Sequence, residues 1–203
     1  MKNKHSALWL SGIIILIFII QVLIPSFTDL FILKSSGALK NPWTLITSTF
    51  LHGSIVHLLY NLFALALFGS ILENIIGTKK FLLIYSISGL VASLFSIPFY
   101  NSVLGASGAI FGIIGALAII NPKMVVWVFG FPMRMYLALI IWVLIDIFGI
   151  IFPTNTANIA HLSGVLIGVI SGFILRSSRI TKNKDSIEIN NETLEEWEDR
   201  YMR

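Results

Sequence analysis

Ser107 and His161 are the two residues of this chain best equipped to do covalent chemistry together. Ser107 stands in Gly105-Ala106-Ser107-Gly108. A serine hydroxyl is a poor nucleophile until a base takes its proton, and an imidazole titrates in the right range to do so. Gly105 and Gly108 permit a tight turn and close backbone approach. They also leave the first helical N–H groups open to a substrate oxyanion. Each residue also has a plainer reading, since a serine at a helix start is an ordinary N-cap and a single helical histidine is an ordinary packing residue. His57 and Asn61, four residues apart, share one helix face. Each can donate a hydrogen bond to a developing oxyanion, or simply tie its helix to a neighbour. His52 lies five residues before His57, placed to orient the loop or the site. Asp146 can complete a Ser-His-Asp triad, although the sequence favours a structural acid or a helix-packing partner there.

The elements that must position these residues are membrane spans. The chain has 203 residues, is 56% hydrophobic and 12% charged, and has a mean hydropathy of +0.88. Soluble domains carry about 25% charged residues. Of ten acids only Asp29, Glu73 and Asp146 precede residue 185. The bases are scattered singly between apolar runs, which excludes a nucleic-acid surface despite a pI near 9.4. The absence of cysteine excludes disulfides, thiolate metal sites and cysteine nucleophiles.

Six apolar runs are readable, at 7–24, 55–76, 81–97, 107–121, 135–152 and 157–176. A span needs about 20 apolar residues, so the runs predict an all-α membrane protein with six helices. The first run lacks a small-residue cleavage site and reads as a retained helix. With the N-terminus inside, ten Lys and Arg residues fall on inner segments and two, Lys34 and Lys40, on outer ones. The positive-inside rule then places both termini in the cytoplasm. The loop at 25–54 is long enough to need structure of its own, and its apolar content places it in the outer interface. Residues 1–178 form the membrane domain; 179–203 form a polar, acidic cytoplasmic tail in which 194–201 can make a short helix. Glu73, near Lys79 and Lys80, reads as an interfacial carboxylate.

Depth brings the polar residues together. At a rise of ~1.5 Å per residue, His57 lies ~5 Å, Asn61 ~10 Å and His161 ~6 Å below the outer surface. The fourth run makes ~22 Å of helix against a ~30 Å hydrocarbon core. Pinned inside by Lys123, its outer end with Ser107 starts ~8 Å down. Gly164, Gly168 and Gly172 at spacing four, facing Gly108, Gly112 and Gly115, allow the two helices to pack closely.

Three motifs together resemble those of the rhomboid intramembrane proteases. They are His52-x4-His57-x3-Asn61 in span 2, Gly105-Ala106-Ser107-Gly108 opening span 4, and Ala160-His161-x2-Gly164-x3-Gly168 in span 6. The resemblance covers roughly residues 40–176 and implies a six-transmembrane-helix bundle with a Ser-His dyad and no triad. It implies Ser107 as nucleophile, His161 as base, and His57 and Asn61 with the Ser107 N–H as oxyanion hole. His52, Gly105, Gly108, Phe111, Gly164 and Gly168 would support them. It further implies transmembrane protein substrates, an acyl-enzyme, and neither cofactor nor metal. Two positions depart from the family pattern. Thr44 follows Trp43 where members often have arginine, and Phe111 stands where many have tyrosine, keeping the ring and losing the hydroxyl.

Two other readings compete. A catalytically silent rhomboid-like binder of transmembrane helices would share the fold, but such relatives usually lack the serine or histidine. A small transporter would need an inverted repeat and midplane polar groups, and neither is visible. The expected location is a multi-pass position in a bacterial cytoplasmic membrane, with the site opening to the extracytoplasmic side. The sequence does not fix the oligomeric state.

Overall fold

Each of the six apolar runs carries a helix. The computed structural model describes residues 5–128, 130–152, 154, 156–186 and 199–202, with 177–186 as backbone only. Helix α1 is Ser6–Leu23. The second run holds α4 (Ile55–Ala64), a π-helical turn at Leu65–Gly69 and α5 (Ser70–Ile76) as one 22-residue rod. Then come α6 (Thr78–Ser96), α7 (Ser107–Ile120), α8 (Met135–Ile151) and α9 (Asn158–Ser186). Among the described residues four helices are long and apolar enough to cross a membrane, while α7 and α8 are shorter apolar helices. Helix α9 runs ten residues past its expected apolar end at 176. Most of the acidic tail lies outside the described residues.

Helix α7 is the centre of the bundle. Ten of its 14 residues are buried, so it needs no lipid-facing stripe and can be short. Around it the other helices turn large apolar side chains outward, among them Trp9, Val22, Tyr60, Phe63, Leu144 and Phe173. Such an exterior suits hydrocarbon rather than water.

Between α1 and α4 the long loop has structure of its own. It holds α2 (Phe27–Phe31), β1 (Leu33–Lys34) and α3 (Thr44–Thr47). Strand β1 pairs antiparallel with β2 (Ser102–Val103), Leu33 opposite Val103, which ties this loop to the segment just before α7. The Thr44 hydroxyl donates to Asn41 O at 2.7 Å and the Thr47 hydroxyl to Phe31 O at 2.9 Å. The loop is therefore closed by its own hydrogen bonds with threonine where the family often has arginine. On the opposite side, β3 (Val125–Val128) and β4 (Phe131–Arg134) form a hairpin between α7 and α8. It turns at Gly130, where φ is +82°.

Glu73 has partners that the sequence did not show. It is buried within the protein. Its carboxylate accepts from the N–H groups of Ser6 and Ala7 at 3.2 and 3.1 Å and from the Thr78 hydroxyl at 2.7 Å. It thus caps the N-terminus of α1 from another helix, where orphan N–H groups and the positive dipole end favour an anion. Glu73→Ala is expected to cost about 3 kcal/mol, since hydrogen bonds to a charged group contribute roughly 1.5–3 kcal/mol each. A thermal melt in detergent checks this; a Tm within 2 °C of wild type would contradict it.

Candidate active site

Ser107 opens α7, and the residue before it, not Ser107 itself, holds the cap position. Ala106 is the N-cap, and the first helical bond runs from Ile110 N to Ala106 O at 3.0 Å. The N–H groups of Ser107, Gly108 and Ala109 therefore point out of the helix end without intrahelical partners. The turn into α7 is made by Gly105 at φ +123°. A side chain there would be strained and would also lie 2.7 Å from His57 Cε1. The glycine thus serves both the turn and the close approach of the His57 ring to the start of α7.

The Ser107 hydroxyl is engaged by His161. His161 Nε2 lies 2.8 Å from Ser107 Oγ, and its Nδ1 lies 2.9 Å from Asp146 Oδ1. Three helices, α7, α9 and α8, deliver one group each. The imidazole is also fixed face-on, because Phe111 stacks on it with ring centroids 4.2 Å apart and planes 8° from parallel. Phe111 is one helical turn after Ser107, so a single face of α7 presents both the hydroxyl and the stacking ring.

Glycines set the distance between α7 and α9. A Cβ on Gly164 would collide with the carbonyl oxygen of Gly108, and one on Gly168 with that of Gly112. On the α7 side, Gly115 faces Val165 O at 2.7 Å from an added Cβ. Gly108 also faces Ala92 of α6, and Gly112 faces Ser88 of the same helix. Backbones in contact on two sides leave Ser107 and His161 little room to separate.

His57 and Asn61 share a face of α4 but do different things. The His57 N–H donates to the Ser54 hydroxyl, which caps the helix, at 3.1 Å. Asn61 is buried and its amide donates to His57 O at 2.8 Å. That bond uses one of its two N–H groups. His52 packs against the His57 ring with centroids 4.9 Å apart. Burial, and secondarily the neighbouring His57, hold the His52 imidazole down to about 4, so it is neutral near pH 7 and adds no charge beside His57. A hydrogen bond to the Phe50 backbone opposes this shift without reversing it. A small cavity beside Ser107, with walls that include Ser48, Thr49, Ser93 and Ala160, has room for a water molecule.

Two supports escaped the sequence reading. Gln21 of α1 both accepts from His52 N at 3.0 Å and donates to His52 O at 3.3 Å, anchoring the turn before α4. The Tyr100 hydroxyl accepts from Ile159 N at 3.2 Å at the start of α9, two residues from His161. Neither residue sits in a recognisable pattern; a glutamine in span 1 is the one polar side chain that could have drawn notice.

Residues 39–178 match the family described as the Rhomboid domain. The chain belongs to the rhomboid family. It is 30% identical over 145 residues to "Rhomboid protease GlpG" of Haemophilus influenzae, covering 70% of this chain and 72% of that one. It is 37% identical over 131 residues to "Rhomboid protease GluP" of Bacillus subtilis, covering 62% of this chain and 24% of the relative. With "Rhomboid-like protease 3" of Toxoplasma gondii it shares 38% over 132 residues, 63% of this chain and 49% of the other. The chain thus spans most of the first of these rhomboids and less than half of the other two. With its apolar helices, this rhomboid is a multi-pass membrane protein.

Proposed function

We propose that this rhomboid is an intramembrane serine endopeptidase cleaving transmembrane segments of other membrane proteins. The observation that carries the reading is the 2.8 Å contact between Ser107 Oγ and His161 Nε2 at the head of a buried helix. His161 removes the Ser107 proton as Oγ attacks the scissile carbonyl carbon, then gives that proton to the departing amide nitrogen. The acyl-enzyme on Ser107 is hydrolysed by water, for which the cavity of Ser48, Thr49 and Ser93 offers room and hydroxyl partners. The Ser107 N–H, the His57 ring, which approaches the turn at Gly105, and the Asn61 amide would donate to the oxygen on which charge develops. Six crossings with both termini on the Lys- and Arg-rich side would open this site to the other side of the membrane. Residues 1–178 make the catalytic domain.

Oxyanion donors each supply about 10²–10³ in kcat. His57→Ala is expected to lower kcat by about 100-fold with KM little changed. Asn61→Ala is expected to lose less, because its amide already donates to His57 O. Equal losses in the two variants would show that Asn61 turns its amide to the substrate.

The function itself is tested in proteoliposomes carrying a reporter whose transmembrane segment has a small-residue, helix-destabilising site. Two fragments, cut within the half of the segment nearest Ser107, are expected by mass spectrometry. A reporter left intact at high enzyme ratio, with the protein folded, would favour the silent-binder reading.

A further inference from the structure

Asp146 is the buried acid that the dyad chemistry leaves without a task. It lies near the end of α8, a helix that is otherwise apolar, and it is 3% exposed. A carboxylate within such a helix costs at least about 2.5 kcal/mol on insertion scales, so its partners matter. It has one: Oδ1 lies 2.9 Å from His161 Nδ1, and Oδ2 has no partner among the described residues. Its one hydrogen bond in this apolar setting goes to the imidazole nitrogen opposite the one that meets Ser107.

The backbone is shaped to bring the two together. Gly149 follows Asp146 by three residues, and Asn158 precedes His161 by three, so each pair shares a helix face. A Cβ on Gly149 would lie 2.6 Å from Asn158 Nδ2 and 2.9 Å from its Cγ. Where α8 meets α9, therefore, Gly149 stands against Asn158 while Asp146 stands against His161. The Asn158 amide donates to the Thr154 hydroxyl at 3.1 Å, which holds it in place under the glycine.

We propose that Asp146 is a positioning residue for the proposed reaction, accepting the Nδ1–H of His161 and so fixing both tautomer and ring direction. With the proton on Nδ1, the Nε2 lone pair faces Ser107 Oγ and can take its proton. Asp146 itself gains no proton; the proton lost by Oγ goes to Nε2 and then to the leaving nitrogen. Phe111 holds the ring plane, and Asp146 sets its rotation within that plane. The inference rests on the protease reading, which makes Ser107 and His161 the reacting pair.

What the proposal requires of residue 146 is a group that only accepts from Nδ1–H. Asp146→Leu keeps the branched skeleton of the side chain, with methyl groups somewhat larger than the carboxylate oxygens, and suits the apolar helix, so the fold is expected to hold. With a transmembrane reporter, kcat of this variant is expected to fall about 100-fold, KM and Tm staying near wild type. Asp146→Asn keeps the shape but can donate its amide N–H to Nδ1 and hold the proton on Nε2, so it is expected to be at least as slow as the Leu variant. A Leu or an Asn variant within tenfold of wild type would overturn the proposal. A second measurement needs no variant to be active: solid-state 15N NMR of the wild-type protein in lipid, with the His161 signals identified by their loss in His161→Ala. Protonated Nδ1 with bare Nε2 is expected, and protonated Nε2 with bare Nδ1 would overturn the assignment. The two readings fail separately, since wild type that cuts no substrate counts against the protease while the tautomer still reports on Asp146.

Discussion

Ser107→Ala and His161→Ala are each expected to reduce cleavage of a transmembrane substrate by at least about 10⁴-fold, to background. Among the described residues His161 is the imidazole hydrogen-bonded to Ser107 Oγ, and the stacked Phe111 ring fixes it there. Losses in groups that act as a unit do not add. The double variant is therefore expected to be no worse than either single one. Ser107→Ala removes a single oxygen and should leave Tm close to wild type. His161→Ala removes the ring that Phe111 stacks on and the hydrogen-bond partner of Asp146, so its Tm is expected to fall while the glycine contacts between α7 and α9 keep the bundle folded. A gel-based cleavage assay checks the first statement and a thermal melt the second. Cleavage persisting in His161→Ala within tenfold of wild type would mean that another group activates Ser107.

The second large effect comes from residues with no chemistry. Gly164→Leu and Gly168→Leu are expected to abolish cleavage and to destabilise the bundle by more than 3 kcal/mol, beyond the roughly 1–3 kcal/mol typical of overpacking. At both positions even a single added carbon meets a backbone carbonyl, of Gly108 and Gly112 respectively, and backbone cannot swing aside as a side chain can. Helix α9 would have to move bodily away from α7. A shift of 1 Å at His161 is enough to cost a hydrogen-bond-dependent proton transfer about 100-fold. Gly12 of α1 supplies the control, because nothing lies within 4 Å of a Cβ built there. Gly12→Ala is expected to leave activity unchanged and, through helix propensity, to raise stability by at most about 1 kcal/mol. Detergent melts and cleavage rates of the three variants check the contrast. Equal tolerance at Gly12 and Gly168 would show that α7 and α9 are held apart by something other than these glycines.

The sequence was most legible where a single physical constraint dominates. Bilayer thickness fixes the length of an apolar run, and helices stand on all six runs, the short fourth one becoming the buried central helix α7. Spacing of three and four residues fixes a helix face, which is why Gly164 and Gly168 read as a packing stripe from sequence. The match to the Rhomboid domain then rests on residues 39–178. Legibility ended where a residue's partner lies on another helix. Glu73 looks interfacial beside Lys79 and Lys80, and only the arrival of the α1 N-terminus makes it a buried cap. Asp146 reads as a packing acid on α8, because no pattern within that helix shows that His161 of α9 will face it. Gln21 and Tyr100 act through backbone atoms of distant segments, a kind of contact that leaves no periodicity behind.

The most direct test of the reactive serine is covalent labelling. Wild-type protein in detergent or lipid, treated with a fluorophosphonate probe, is expected to gain one adduct on the peptide containing Ser107, and to gain none when His161 is replaced by alanine. Folded wild-type protein that takes up no probe at Ser107, or that labels equally well without His161, would contradict the assignment of these two residues as nucleophile and base.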